Sequence, residues 1–296
     1  MKAALIRLHV AVFLWGFTGV LGRLISLNEG WLVWWRMFIT AIALWIYFFF
    51  KGKIEKVSLR DFLKIASIGT ILAIHWLFFY GSIKYANVSI ALTCLATTGL
   101  LSAIIEPIFF RRKINAKELL LGTFALAGIV IIYFSNLQFS VGIYIGLLSA
   151  VATVIVSVLN RKIVTGFTPQ SITLYQLTGG FIGLTFLMPL YNLLLHSNIQ
   201  YPQQWDWFWL VLLACFCTVL TFILYIGALH KVSAFTVNLT LTLEPVYGII
   251  LAFAVYQENK YLSDYFYIGF ALILIAVFLQ MRRIVKEQKA AVIVFD

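Results

Sequence analysis

Charge is the scarcest ingredient of this sequence: only 11% of its 296 residues are Asp, Glu, Lys or Arg, against 62% hydrophobic, and the mean hydropathy is +0.98. So little polar surface cannot coat a water-soluble globule of this length, which leaves the bilayer as the solvent. Cysteine is nearly absent too. Cys94, Cys215 and Cys217 all fall inside apolar runs, and Cys215-x-Cys217 has neither metal-ligand spacing nor histidine partners nearby. These read as packing residues, and no metal or other cofactor is expected. Also missing are an HExxH, a G-x-S-x-G, paired aspartates near a span boundary and any loop long enough to form an aqueous domain. An enzyme acting on a lipid-linked substrate, the alternative class of function, would need such equipment. The first apolar run continues through Trp15, Gly16 and Arg23 without a small-residue cleavage site, so it is expected to be a retained span rather than a signal peptide.

What is present is a series of apolar windows of about 20 residues, each long enough to cross about 30 Å of hydrocarbon as a helix. They fall near residues 5–27, 31–50, 62–84, 87–110, 118–134, 141–160, 170–195, 206–229, 232–256 and 263–281. This predicts an all-α integral membrane protein of ten transmembrane helices, consecutive ones antiparallel because connections such as "NEG" (28–30) are short. A net charge of +11 is of the kind nucleic-acid binders carry, but here the basic residues cluster between apolar runs. Of the 22 Lys and Arg, all but Lys84, Lys260, Arg23 and Arg36 fall on the side of the termini. Positive charge collects on the cytoplasmic face, so both termini are expected in the cytoplasm of a multi-pass inner-membrane protein. Nucleic acid is not an expected partner; the bilayer and a small-molecule substrate are, with a homodimer as one option.

An internal repeat is readable. "YGSIKYANVS" (80–89) resembles "IGALHKVSAF" (226–235) at an offset of 146, and "GTFALAG" (122–128) resembles "GFALILI" (269–275) at 147. The two Glu-Pro pairs, Glu106-Pro107 and Glu244-Pro245, disagree, being 138 apart; the register of 146 pairs Pro245 with Gly99 instead. Five spans per half is an odd number, so the halves must insert upside down relative to each other, with a site between them near the midplane. The expected units are 1–135, 136–283 and a cytoplasmic tail, 284–296.

"LWGFTGVLGR" in the first span, "WWRMF" in the second, "YGSIKYANVSIAL" across the third and fourth, and "LTLEPVYGIILAFAVYQE" in the ninth resemble the drug/metabolite transporter superfamily, EamA-type. The resemblance covers nearly the whole chain. It implies a proton-coupled or facilitated exporter of small metabolites, with helices one to four of each half around a cavity and helix five outside. The first half departs from that pattern: Gly99 stands where a helix-four proline is often found, and Arg112 stands opposite Glu258 of the second half.

The residues point the same way. Glu244 lies about twelve residues into its span, where an ionised carboxylate costs at least about 2.5 kcal/mol. Pro245 and Pro107 are predicted helix breaks, and Pro245 frees the carbonyl of Leu241 beside that carboxylate. Thr236, Thr240 and Glu244 form a polar stripe flanked by Asn238 and Thr242. A stripe on an opened helix is tolerated at depth only against a cavity or protein; the alternative is a protonated Glu244 capping a broken helix. His75, near the centre of span three, is a second candidate for binding or proton coupling, set against a histidine that simply bonds a neighbouring helix. Arg23 and Arg36 either snorkel to headgroups or, for Arg36, hold a substrate carboxylate. The stripes Ser89, Thr93, Thr97 and Ser149, Thr153, Ser157 read mainly as packing seams, with Thr97 the exception closest to Glu244. Trp15, Tyr80, Tyr175 and Gln176 are candidate cavity walls, and Glu106 a structural residue or gate. The expected function is export of a small amphipathic solute, amino-acid-like, by alternating access; nucleobases, sugars and cationic drugs are other solutes of the same class.

Overall fold

Short polar residues start the helices by meeting the orphan amides of the first turn. The side chains of Asn28, Ser58, Asn87 and Thr168 accept from the backbone N–H of Trp31, Asp61, Ile90 and Ser171. In chain order the elements are α1 (Lys2–Leu24), α2 (Glu29–Phe50), α3 (Leu59–Tyr85), α4 (Val88–Ala96), α5 (Thr98–Phe110), α6 (Ala116–Ser135), α7 (Ser140–Ile163), α8 (Pro169–Leu194), α9 (Gln204–Val211), a π-helical segment (Leu212–Leu220), α10 (Thr221–Leu229), α11 (Glu244–Tyr256) and α12 (Asp264–Ile293). The computed structural model describes residues 2–111, 113, 116–163, 166–229, 240–241 and 243–293, and no strand occurs among them. Among the described residues eight helices are long and apolar enough to cross a membrane, and 120–135 and 244–256 are shorter apolar ones.

Two ends of the bundle can be told apart by their contacts. At the charge-poor end Lys84 donates to the carbonyl of Ile25 and Asn136 to Ser263. At the basic end Arg161 pairs with Glu106 at 3.1 Å, and Thr168 and Ser171 donate to Glu55. Those two hydroxyls, Ser171 foremost, hold the Glu55 carboxyl below its ordinary range. Between the ends α3 packs on α7 and α8, α1 on α10 and α11, α2 on α8 and the π segment, α4 on α7 and α11, and α6 on α12. Lipid tails are as apolar as leucine, so close approach rather than hydrophobic burial must hold such helices together. Glycines permit it: Gly69 faces the backbone of Gln176 and Gly180, and Gly128 the backbone of Gly269.

Two helices are broken, at equivalent places. Thr97 (φ −76°, ψ −6°) separates α4 from α5, and Leu243 (φ −81°, ψ −14°) precedes α11. Thr97 N–H bonds the carbonyl of Cys94 and Leu243 N–H that of Thr240, while the carbonyls of Thr97 and Leu243 accept from the N–H of Leu101 and Tyr247. Each of these residues lies 146 positions from its counterpart. Pro245 sits in the first turn of α11, where a proline needs no partner for its missing N–H.

Pro107 corrects the expected second break. It stays inside α5, within a turn of that helix's end at Phe110, and deprives only one carbonyl, that of Ala103, of its intrahelical partner. Gly99, not Pro107, occupies the position of Pro245. A Cβ at Gly99 would meet nothing within 4 Å. Gly99→Pro is therefore expected to change stability by less than about 1 kcal/mol, because its N–H lies in a first turn. Thermal melting in detergent checks this; a loss near 3 kcal/mol, as for proline in a helix interior, would show that the two breaks differ.

Candidate functional site

Arg36 was open to a snorkelling role, and its position excludes one. Two turns into α2, it is only 3% exposed, and its guanidinium turns inward rather than to a headgroup. Nη1 donates to the Tyr80 hydroxyl at 2.7 Å, and Nε and Nη2 both donate to Thr218 Oγ1, at 3.2 and 2.9 Å. The cation lies 3.9 Å from the centre of the Trp76 ring. Guanidinium has five N–H donors, so one on Nη1 and one on Nη2 are left over. Glu244, the first residue of α11 and partly buried, lies within electrostatic range of Arg36 and Tyr80.

Thr218 reaches Arg36 because of the π-helical segment. Its hydroxyl donates to the carbonyl of Leu213, five residues back, at 3.0 Å, leaving the oxygen lone pairs to the guanidinium. A wide turn of this kind, frequent at functional sites, rotates the side chains after it relative to an α-helical path. Nothing in "LLACFCTVL" announces such a turn. The available signal was the pair of hydroxyls, Thr218 and Thr221, in an otherwise apolar span.

The remaining candidates separate into two groups. Tyr80 is fully buried and belongs to the cluster, its hydroxyl also facing the carbonyl of Thr18 at 3.5 Å. Trp15 lines the neighbouring region, packed at 6.0 Å on Phe222 and 5.5 Å on Tyr225. Thr240 is buried just before the break. Thr97 is buried at the other break, but its hydroxyl is spent on the carbonyl of Cys94. His75 faces α7: Nδ1 lies 3.0 Å from the carbonyl of Ser149, 2.9 Å from Ser149 Oγ and 2.6 Å from Thr153 Oγ1. That is the neighbour-bonding arrangement, although Arg36 is close enough to act on the ring.

Tyr175 and Gln176 are not brought to Arg36. Tyr175 donates to the carbonyl of Glu55 and packs on Trp45, which lies nine residues beyond Arg36, about 13 Å along α2. Gln176 is on the face of α8 that meets Gly69 of α3. A surface cleft of about 640 Å³ opens at the basic end between Glu55, Ser58, Asp61, Phe167 and Thr168, and none of the Arg36 cluster lines it. Glu106 sits at that end, paired with Arg161. Asn238, with Thr236 and Thr242, lies outside the described residues. Arg23 pairs with Glu258, an association that sequence reasoning missed because the partners are 235 positions apart.

Among the described residues no group of His, Cys, Asp and Glu could hold a metal ion. The cluster is thus a buried cation with unspent donors, an aromatic floor, two hydroxyls and a carboxylate within electrostatic reach. Such a site can hold a small polar solute by both ends of its charge but offers no nucleophile poised beside a base.

The profile of the EamA-like transporter family matches the chain twice, over residues 2–134 and 140–282. A protein of Bacillus subtilis (strain 168) described as "Uncharacterized transporter YxxF" is 23% identical over 258 residues, covering 84% of this chain and 81% of that one. Another from the same organism, "Uncharacterized transporter YyaM", is 26% identical over 254 residues, covering 82% and 81%. A solved structure titled "Crystal structure of protein" superposes with a TM-score of 0.59 at 16% identity, over 92% of this chain and 95% of that one, a likeness of fold.

Proposed function

Because the chain belongs to the EamA-like transporter family, a multi-pass membrane transporter rather than an enzyme, we propose that it exports small amino-acid-like solutes by alternating access around Arg36 and Glu244. The observation that carries this reading is the state of Arg36. Taking a charge out of water costs several kcal/mol unless an opposite charge compensates, and the hydrogen-bond partners of Arg36 are all neutral hydroxyls. A solute carboxylate would take the two unspent donors, and its ammonium group would face Glu244. Glu244 is also the group placed to exchange a proton with the solute's ammonium, which would couple export to the proton gradient. His75, already engaged by three groups of α7, is the less accessible candidate.

The scaffold for this function is ten spans in two inverted halves, with both termini in the cytoplasm of the inner membrane. The matched breaks at Thr97 and Leu243 support it. So does the packing: shifting each helix by 146 turns α3–α7 into the α9–α10 span on α1, and α3–α8 into that span on α2. It turns α5–α7 into α11–α1 and returns α6–α12 to itself. Contacts that exchange in this way are what a pseudo-twofold axis in the membrane plane produces.

Untargeted metabolite profiling of the medium around cells expressing the chain tests the solute class. Zwitterions are expected to accumulate, and Glu244→Gln to lower that accumulation about tenfold, the loss of one charge-assisted contact, with the protein still inserted and its pH dependence flattened. Accumulation of nucleobases, sugars or lipophilic cations instead would overturn the zwitterion reading. Unchanged export with intact pH dependence in Glu244→Gln would leave Glu244 a helix cap.

A further inference from the structure

Glu258 is a carboxylate that the central site does not use, yet it is only 2% exposed. It accepts from the backbone N–H of Val88 at 3.0 Å and of Ser89 at 2.8 Å, from Ser89 Oγ, and from Arg23 Nη1. One side chain thus ties together the end of α1, the start of α4 and the turn that follows α11. Arg23 and Ser89 lie in the first family-matched stretch and Glu258 in the second. The tie is reinforced beside it: Arg23 stacks 4.3 Å from the Tyr256 ring, and the Tyr256 hydroxyl donates to the carbonyl of Val20 at 2.7 Å. Gln257, just before Glu258, takes a left-handed conformation with φ +54°, a backbone state a residue with a side chain keeps only when its surroundings demand it.

A permanent seal would cost less if built from apolar residues, since a buried ion pair barely offsets its own desolvation. The asymmetry of this pair argues for one that parts. The Arg23 side chain is 40% exposed, so water can replace the carboxylate on its outer side, while Glu258 has no such access. The residue 146 positions before Glu258 is Arg112, so the first half has no acidic counterpart at that position, and the ion pair at the basic end, Glu106–Arg161, is half-exposed rather than buried. Inside the charge-poor closure the central groups are shut away, with Arg36 at 3% and Tyr80 and Thr218 at 0% exposure.

We propose that Arg23 and Glu258 are the gate of the transport path at the charge-poor end, closed in this structure and opened when the pair parts and α4 loses its carboxylate cap. The inference rests on the alternating-access reading above. Cys217, 2% exposed and adjacent to Thr218, is a built-in reporter of the central site. With Cys94 and Cys215 changed to serine, labelling of Cys217 by a charged, membrane-impermeant methanethiosulfonate is measured on intact cells and on inverted vesicles. A cysteine placed at exposed Tyr201, in a separate chain, shows which preparation presents the charge-poor end.

From that end, Glu258→Gln and Arg23→Gln are each expected to label at least about tenfold faster than the parent, with melting temperatures showing that both remain folded. Rapid labelling of the parent from the charge-poor end, or no acceleration in any folded variant, overturns the gate. Labelling of the parent from the basic end reads the path itself. If it is present without acceleration in the variants, the gate alone fails; if Cys217 is unreactive from both ends in every variant, the transport path fails with it.

Discussion

Arg36→Met is expected to abolish transport, by at least about a hundredfold, while leaving the protein as stable as the parent or more so. The two halves of this result have separate causes. Transport falls because the variant has no cation to receive a solute carboxylate, and a desolvated charge-assisted pair exceeds a neutral contact by roughly 3 kcal/mol, about two decades. Stability holds because neither neighbour is orphaned: Thr218 keeps its bond to the Leu213 carbonyl and Tyr80 still faces the carbonyl of Thr18. Replacing buried charge by an apolar group of similar volume is commonly neutral, or stabilising by about 1–4 kcal/mol. Arg36→Lys is expected to lose transport as well, since an ammonium cannot bond Tyr80 and Thr218 while presenting a two-pronged edge to solute. Uptake into proteoliposomes and thermal melting on the same samples decide the matter. A large fall in melting temperature with transport retained would make Arg36 a structural brace.

The sequence made the membrane character and the apolar helices legible because each rests on many residues at once. The offset of 146 that pairs Pro245 with Gly99 also pairs Leu243 with Thr97, yet a break at Thr97 was not expected, because no proline stands there. Pro107 misled for a physical reason: it removes a single intrahelical bond, to the carbonyl of Ala103, and only three residues of α5 follow it, too few for a break to show. Arg36 was legible as a buried-charge anomaly, but its partner Thr218 was not, since a π-helical turn leaves no mark in hydropathy or spacing. Tyr175 shows the opposite failure. An aromatic residue in a chain with 17% aromatics carries little positional information, and this one sits at the basic end against Glu55. The Arg23–Glu258 pair was invisible because its members are far apart in the chain and each reads singly as a boundary charge.

The fold that positions these groups rests on glycine contacts, and there the largest stability effect is expected. Gly69→Leu is expected to cost about 3 kcal/mol or more and to sharply lower the amount of folded protein in the membrane. A Cβ at Gly69 would strike the carbonyl of Gln176 and the backbone of Gly180, and one at Gly180 the carbonyl of Gly69 and the Met37 side chain. Overpacking usually costs about 1–3 kcal/mol because side chains can shift, but backbone on a facing helix cannot move without the helix. Nor can α3 and α8 simply separate: dispersion between close backbones is most of what draws helices together in lipid. Separation would also carry Trp76 and Tyr80, about two and three turns along α3 from Gly69, away from Arg36, so any surviving protein is expected to transport poorly. Gly99→Ala is the control for the substitution itself. Its Cβ meets nothing within 4 Å, and alanine in place of glycine in a helix gains roughly 0.5–1 kcal/mol, so this variant is expected to melt at or above the parent temperature. If Gly69→Leu melts with it, α3 and α8 do not touch through their glycines and the placement of the central cluster on α3 is wrong.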